Sequence, residues 1–248
     1  MTKVVCIIPA RMGSSRFPGK PLSKIMGKEL IHHVYDNCIK SALFKEVYVA
    51  TPDSEIEDFC KHVGAKYIHT SNEHVRATDR CSEALSYLEK KGYIYDIFTM
   101  VQGDEPLVNA ITIDKITNAL IKNKDILCAN GLGKITEKEL QSKNCIKVLT
   151  DKYKNAIYMS RKPIPWEPIL NVNVGKQICV IPFRTEFLKR YNLMEETLLE
   201  RSESIDMLRI IEHGIKVKMI DVEGEFHPVD VSDDMITVEK IMRKQIKS

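Results

Sequence analysis

Three cations stand close together near the N-terminus: Arg11, Arg16 and Lys20, in the loop Pro9-Ala10-Arg11-Met12-Gly13-Ser14-Ser15-Arg16-Phe17-Pro18-Gly19-Lys20-Pro21. Gly13 and Gly19 allow positive φ and a close approach of the backbone to a ligand. Successive N–H groups in such a turn can form a nest for an anion, with Ala10, Gly13 and Ser14 at its rim. Lys20 is a compact charge that can reach terminal phosphates, and Arg11 is a planar fork for bridging oxygens. This is not a Walker A loop, because Pro21 follows Lys20 where Ser or Thr is required. The dinucleotide fingerprint GxGxxG is also absent. Read alone, the segment is equally a solvated basic loop with two structural glycines. Its place after a buried first strand favours phosphate chemistry.

Two acidic positions complement it. Asp104 lies in Gln102-Gly103-Asp104-Glu105-Pro106, directly after an apolar run, and Asp230 closes His227-Pro228-Val229-Asp230. Magnesium takes one or two carboxylates and fills its remaining positions with water and phosphate oxygens, so Asp104 and Asp230 are candidate Mg²⁺ ligands. Singly, each also reads as a turn or N-cap residue. Asp233 and Asp234 read as first-turn helix charges. No zinc pattern competes, since His32-His33 is an adjacent pair and not HExxH. There is no GxSxG, and no cysteine is tied to a histidine by spacing. A cationic loop facing carboxylates points to nucleotidyl transfer, in which a protein mainly positions groups and neutralises charge.

The elements that must hold these residues alternate. Residues 4–8 form a short, wholly apolar run suited to a central parallel strand. Ile31, Val34, Tyr35, Cys38, Ile39 and Ala42 recur with helical spacing. The pattern predicts further strands over 47–50, 66–69 and 96–101. It predicts helices over 56–63, with Gly64 ending it, over a stretch carrying Ala84, Leu85 and Leu88 with Thr78 as N-cap, and over 111–122. This βαβαβαβα order predicts an α/β fold with a doubly wound, mostly parallel Rossmann-like sheet, which binds ligands at the carboxyl ends of its strands. Both polar motifs fall there. After about residue 125 the strand candidates are short: 126–132, 145–149, 156–159, 178–183 and 217–222. A proline-rich loop covers 160–166, and Asn171, Asn173 and Gly175 mark a turn. Helices are expected over 185–191 and 203–213, and the tail from Ser232 is amphipathic. The chain reads as a single domain, with a smaller β-rich extension or dimerisation arm within 130–190.

Composition removes several function classes. The chain has 248 residues, 44% hydrophobic and 29% charged, the profile of a packed globular protein. Lys+Arg 37 against Asp+Glu 34 leaves a net charge of +3, with no basic stripe of the kind nucleic acid requires. The apolar run at 4–8 ends at Pro9, too short for a bilayer span or a signal segment. Seven scattered cysteines without a CxxC pair read as reduced thiols of a cytoplasmic protein.

With these residues in view, the chain resembles the 3-deoxy-manno-octulosonate (Kdo) cytidylyltransferase family, the CMP-Kdo synthetases. The loop from Arg11 to Leu22 looks like the family's signature loop, and Val101-Gln102-Gly103-Asp104-Glu105-Pro106-Leu107 its metal segment. Tyr158-Met159-Ser160-Arg161 with Ile164-Pro165-Trp166 looks like its sugar-side loop. Leu199-Glu200, Glu203 and Leu208-Arg209 resemble its late helix, and Val229-Asp230 with Asp233-Asp234 its second metal segment. The five segments occur in the family's order through nearly the whole chain. The resemblance implies a nucleotide-diphospho-sugar transferase fold. It also implies transfer of CMP from CTP to the anomeric hydroxyl of a 3-deoxy-2-keto sugar acid, with release of pyrophosphate, dependence on Mg²⁺, and a homodimer supplying lipopolysaccharide or capsule synthesis. Arg11 and Lys20 would bind the triphosphate, and Asp104 and Asp230 the metal. His74, Arg76, Ala77, Thr78 and Arg80 would lie over the cytidine. Gln102, Arg161, Gln177, Ile181, Glu200 and Glu203 would face the sugar acid.

Three departures stand out. Where the family has His-x-Ser-Gly-Thr-Asp/Glu-Arg, this chain reads His74-Val75-Arg76-Ala77-Thr78-Asp79-Arg80. Where it has Arg-His-x-Gly-x-Tyr, this chain reads Lys176-Gln177-Ile178-Cys179-Val180-Ile181. The stretch 166–176 is also shorter. These imply a retained transfer apparatus with a diverged acceptor pocket, since polar groups decide which hydroxyls a site accepts. The alternatives are a nucleotidyltransferase acting on a phosphorylated acceptor, held by Arg161, Lys162 and Lys176, and an inactive nucleotide-binding regulator.

Overall fold

The structure is a computed structural model that describes residues 2–14, 16–166 and 174–247. The expected turn at Asn171 and Asn173, most of the shortened stretch 166–176, and Ser15 of the cationic loop lie outside the described residues. The chain forms two compact units, Met1–Asp114 with Glu225–Ser248, and Lys115–Gly224.

The elements run β1 (Val4–Pro9), a 3₁₀ turn (Lys20–Leu22), β2 (Lys24–Ile25), β3 (Lys28–Glu29), α1 (Leu30–Ile39), β4 (Phe44–Thr51), α2 (Ser54–Val63), β5 (Lys66–His69), α3 (Ala77–Lys90), β6 (Ile97–Val101) and α4 (Ala110–Lys122). In the first unit the strands lie in the order β6-β1-β4-β5, all parallel, with Cys6 level with both Val47 and Thr99. Every residue of β1 and β6 is buried, which explains why both read as continuous apolar runs. Helix α3 packs on β1 and α1 on β4.

The second unit contains β7 (Ala129–Gly133), α5 (Glu137–Gln141), β8 (Lys147–Thr150), β9 (Ala156–Ser160), β10 (Val174–Ile178), β11 (Val180–Arg184), α6 (Thr185–Asn192), α7 (Leu198–Glu203), α8 (Met207–Glu212) and β12 (Lys218–Asp221). Its sheet runs β12-β7-β10-β8-β9 and is antiparallel except for β12 on β7. Finally α9 (Ser232–Lys247) belongs to the first unit. There Val238 joins Ile25, Leu30, Leu107 and Val229 in one apolar cluster, against which Phe17 packs. That cluster fastens the cationic loop beside the segment carrying Asp230.

Several elements differ from expectation. The strand expected over 178–183 is two strands, interrupted at Cys179. The helix expected over 203–213 is α8 alone, starting at Met207, because Glu203 ends the preceding α7 and Ser204 adopts φ 55. A capping box at Thr197 and Glu200 starts α7, a local signal that helical periodicity does not report. Helix α3 begins at Ala77 with Arg76 in the cap position, so Thr78 is a buried first-turn residue and not the N-cap. The β2–β3 hairpin and α5 are too short to show a period.

Candidate active site

The cationic loop folds onto a single carbonyl. After β1, Ala10 N–H donates to Ala50 O, and Met12 N–H donates to Asp53 Oδ2 at 2.7 Å. Met12 O then accepts from Ser14 N–H at 2.9 Å and from Gly19 N–H at 3.0 Å. Gly19 sits at φ 71 and delivers the chain into the turn that begins with Lys20. The same freedom expected of Gly13 is not used: its φ is not positive, and a Cβ there would meet nothing within 4 Å. Asp53, which no motif marked, is the anchor of this loop.

Lys20 Nζ reaches out of the turn to two acceptors, Asp104 Oδ2 and Val229 O, both at 2.7 Å. Asp104 follows Gly103, where a Cβ would lie 3.0 Å from Pro9 O, so glycine relieves a tight approach of this segment to the end of β1. Val229 N–H donates to Asp104 O at 2.9 Å, which brings Asp230 alongside. Asp230 Oδ1 accepts from Arg16 Nη2 at 2.7 Å. Burial pushes the Asp230 carboxyl up from the ordinary range, and the neighbouring Asp104 adds to it, outweighing Arg16 and Lys20. Burial also pushes Asp234 up. The N–H groups of Val231 and Asp230 and the nearby His227 outweigh that and hold Asp234 low.

The pair fits a divalent cation on the structure's own terms. Asp104 Oδ1 is buried with no hydrogen-bond partner, and its carboxylate is close enough to Asp230 to raise the proton affinity of Asp230. Among the described residues no cluster of three or more metal-binding side chains occurs. A hard cation held by two carboxylates and completed by phosphate oxygens and water suits such a donor set.

Opposite these groups lies the start of α3. His74 Nε2 is 2.6 Å from Glu83 Oε2, which also accepts from Ser71 N–H. Arg80 is 2% exposed and donates to Thr70 Oγ1, Ser71 O and His74 O. Burial, then the charge of Arg11, lowers its pKa. Arg80 therefore shapes this loop. A cavity of about 260 Å³ opens between the two segments, lined by five cations, Arg11, Arg16, Lys20, Arg76 and Arg80, and by the carboxylate of Asp104. Ala10, Ser14, His74, Ala77 and Gln102 complete the expected lining. Arg16 and Val75 join it without having been assigned. Gly13 and Thr78 are not part of it, the latter being fully buried. Ala77 accommodates its Cβ without strain, because the position is ordinary helix.

A family model described as cytidylyltransferase matches residues 5–220. The chain belongs to the cytidylyltransferase family. It is 36% identical over 248 residues to the mitochondrial 3-deoxy-manno-octulosonate cytidylyltransferase of Arabidopsis thaliana, covering 98% of this chain and 84% of that one. It is also 36% identical over 245 residues to the 3-deoxy-manno-octulosonate cytidylyltransferase of Syntrophus aciditrophicus, with 98% of each chain covered. A solved structure of CMP:2-keto-3-deoxy-manno-octonic acid synthetase complexed with CTP matches with a TM-score of 0.89 at 32% identity, covering 98% of this chain and 100% of that one.

In the second unit of this cytidylyltransferase, the residues expected at the acceptor mostly hold one another. Glu203 accepts from Tyr158 Oη at 3.2 Å, Ser160 Oγ at 2.8 Å and Arg161 N–H at 2.8 Å. The Arg161 guanidinium donates to the carbonyls of Glu203, Ser204 and Lys143. Buried Lys147 Nζ holds the carbonyls of Ser142, Cys145 and Arg161. The end of β9 and Arg161 after it are thus clamped from both sides. Glu200 is fully buried, with both oxygens 2.7 Å from Arg209, so its place is in the core and not on a ligand. Ile181 is likewise buried, at 2% exposure, among apolar neighbours. Gln177 is half-buried and pairs through its N–H with Ile146 O. The signal for the Glu200–Arg209 pair was the Glu-to-Arg spacing across two helices, which sequence periodicity does not resolve.

Proposed function

We propose that this cytidylyltransferase transfers CMP from CTP to the anomeric hydroxyl of a 3-deoxy-2-keto sugar acid, Kdo, and releases pyrophosphate. The observation that carries the reading is Lys20 lying between Asp104 and the Val229 carbonyl at the mouth of a five-cation cavity. CTP carries about four negative charges near neutral pH, and the departing pyrophosphate keeps most of them. Arg11, Lys20 and Arg16 face that charge, and Lys20 is placed to stabilise its build-up between the α-phosphorus and the leaving oxygen. The acceptor hydroxyl oxygen forms the new bond to the α-phosphorus, the bond to pyrophosphate breaks, and the hydroxyl proton passes to solvent. Asp104 and Asp230 would hold Mg²⁺, which when bound neutralises phosphate charge and acidifies a coordinated hydroxyl. His74, Arg76 and Ala77 cover the nucleoside side, with Arg80 shaping their loop. Gln102, which lines the cavity, is the acceptor-side residue of the first unit; within the second unit, Glu203 sets Arg161.

The phosphorylated-acceptor alternative is the weaker reading, because two of its three cations are engaged: Arg161 on three carbonyls and Lys176 on Glu139. No helix among the described residues is long and apolar enough to cross a membrane. A cytoplasmic homodimer, with residues 130–190 as its arm, belongs to the same proposal. Pyrophosphate release tests the reading, measured with CTP and Mg²⁺ across free and phosphorylated 2-keto-3-deoxy acids. Turnover of Kdo is expected. Preference for a phosphorylated acceptor, or release with none of them, would refute it.

A further inference from the structure

Both carboxylates assigned to the metal already carry a cation from the same loop. Lys20 takes Asp104 Oδ2 and Arg16 takes Asp230 Oδ1, each at 2.7 Å. The two cations are built differently. The Lys20 side chain is 13% exposed, has a second acceptor in Val229 O, and rises from a turn fixed by Gly19. It is a permanent part of the wall. The Arg16 side chain is 48% exposed and extends from a loop whose neighbour Phe17 is the residue packed into the core. Its half-exposed side chain has solvent beside it into which the guanidinium can turn from Asp230. The Asp230 backbone is held in place, because its N–H is bonded to Asp234 Oδ2 and Val229 lies in the apolar cluster.

From this geometry we infer that Arg16 and a divalent cation compete for Asp230, so that Arg16 keeps the metal site closed until a polyphosphate draws its guanidinium away. The inference rests on the reading of Asp104 and Asp230 as metal ligands. Two carboxylates balanced by Lys20 and Arg16 form a locally neutral set. A divalent ion added to that set alone would place two uncompensated charges beside Arg11 and Arg80. A triphosphate reverses the balance: it offers Arg16 a bidentate anion and leaves the Asp230 oxygen to the metal. Arg16 is therefore a positioning residue. It holds Asp230 in place and makes metal affinity depend on the nucleotide, a coupling that by linkage acts equally in both directions.

The test is Mn²⁺ binding to the full-length protein without nucleotide, followed by the electron paramagnetic resonance of free Mn²⁺. Arg16→Gln is expected to bind Mn²⁺ at least about tenfold more tightly than the unaltered protein, within the usual range of site–site coupling. The gain should vanish in Arg16→Gln/Asp230→Asn and be largely absent in Arg16→Lys, which keeps the charge. Circular dichroism of each variant checks the fold, which an exposed side chain leaves intact. Equal or weaker Mn²⁺ binding by Arg16→Gln, or no binding by either protein, overturns the inference. A gain that survives Asp230→Asn also overturns it, because the ion would then sit elsewhere. Failure of the metal reading itself has a different mark: Asp230→Asn alone would retain CMP transfer.

Discussion

Replacing Lys20 by alanine separates two effects that the structure places on one ammonium group. As a structural group, Lys20 joins the loop to Asp104 and to Val229 O, with side-chain exposures of 13% and 21% for the ion pair. Exposed ion pairs contribute roughly 0–1 kcal/mol, whereas removing one member of a buried pair costs roughly 3–5 kcal/mol. Asp104 keeps some access to water, so a loss of about 2 kcal/mol is expected, read as a lowered urea midpoint at unchanged slope. As a catalytic group, Lys20 is the donor best placed for charge on the triphosphate. Loss of one such preorganised donor costs about 3–4 kcal/mol of barrier, or roughly 10²–10³ in rate. Pyrophosphate release under saturating CTP measures this second effect. The double variant Lys20→Ala/Asp104→Asn distinguishes them, since it removes the stranded charge: much of the stability should return, while transfer stays lost. If Lys20→Ala turns over within threefold of the unaltered enzyme, or the double variant recovers transfer, the reasoning from this geometry is wrong.

Arg80→Met should lower stability by about 3 kcal/mol, one increment for each of its three bonds, and raise the KM for CTP at least about tenfold; an unchanged KM in a folded variant would show that the loop at His74 needs no such support. Glu203→Gln should raise the KM for the acceptor by about tenfold while leaving that for CTP nearly unchanged, because the clamp on Arg161 is weakened on the acceptor side alone; equal shifts in both constants would contradict that assignment. For Asp230 the sign follows from its raised pKa. The folded state holds the proton more tightly than the unfolded chain. The stability this gives is complete below the ordinary carboxylate range and is lost as pH rises through the folded value. Asp230→Asn should therefore melt no lower than the unaltered protein at pH 7 in EDTA, lose that advantage in acid, and be unable to transfer CMP. A lower melting temperature at neutral pH would reverse the sign of the argument.

The first unit was legible because β1 and β6 are buried along their whole length and its helices carry long apolar faces; residues 4–8 and the helical spacing from Ile31 to Ile39 leave few alternatives. The cationic loop and Asp104 were legible because strand ends are where such sheets expose polar groups. What was hidden depends on three-dimensional neighbours. Asp53 has no motif, yet it fixes the backbone of Met12. Arg16 looked like one more loop cation until it met Asp230. Glu200 and Glu203 read alike in one helical stretch. Both stand in α7, three residues apart, and only their neighbours in space separate their fates: one carboxylate goes into the core with Arg209 and the other onto Arg161. Gly13 and Thr78 show the reverse error, in which a residue type suited to a role sits where the role is not required.

The bond from Val229 N–H to Asp104 O joins parts of the chain that are synthesised far apart in time. At about 5–20 residues per second, the ribosome releases the second aspartate roughly 6–25 s after the first. During that interval the nascent N-terminal sheet already displays Arg11, Arg16, Lys20 and Asp104, but lacks the strap that closes their cradle. A growing chain therefore carries these cations before it carries Asp230, and the arrival of the Val229–Asp230 segment is the step that completes the cradle.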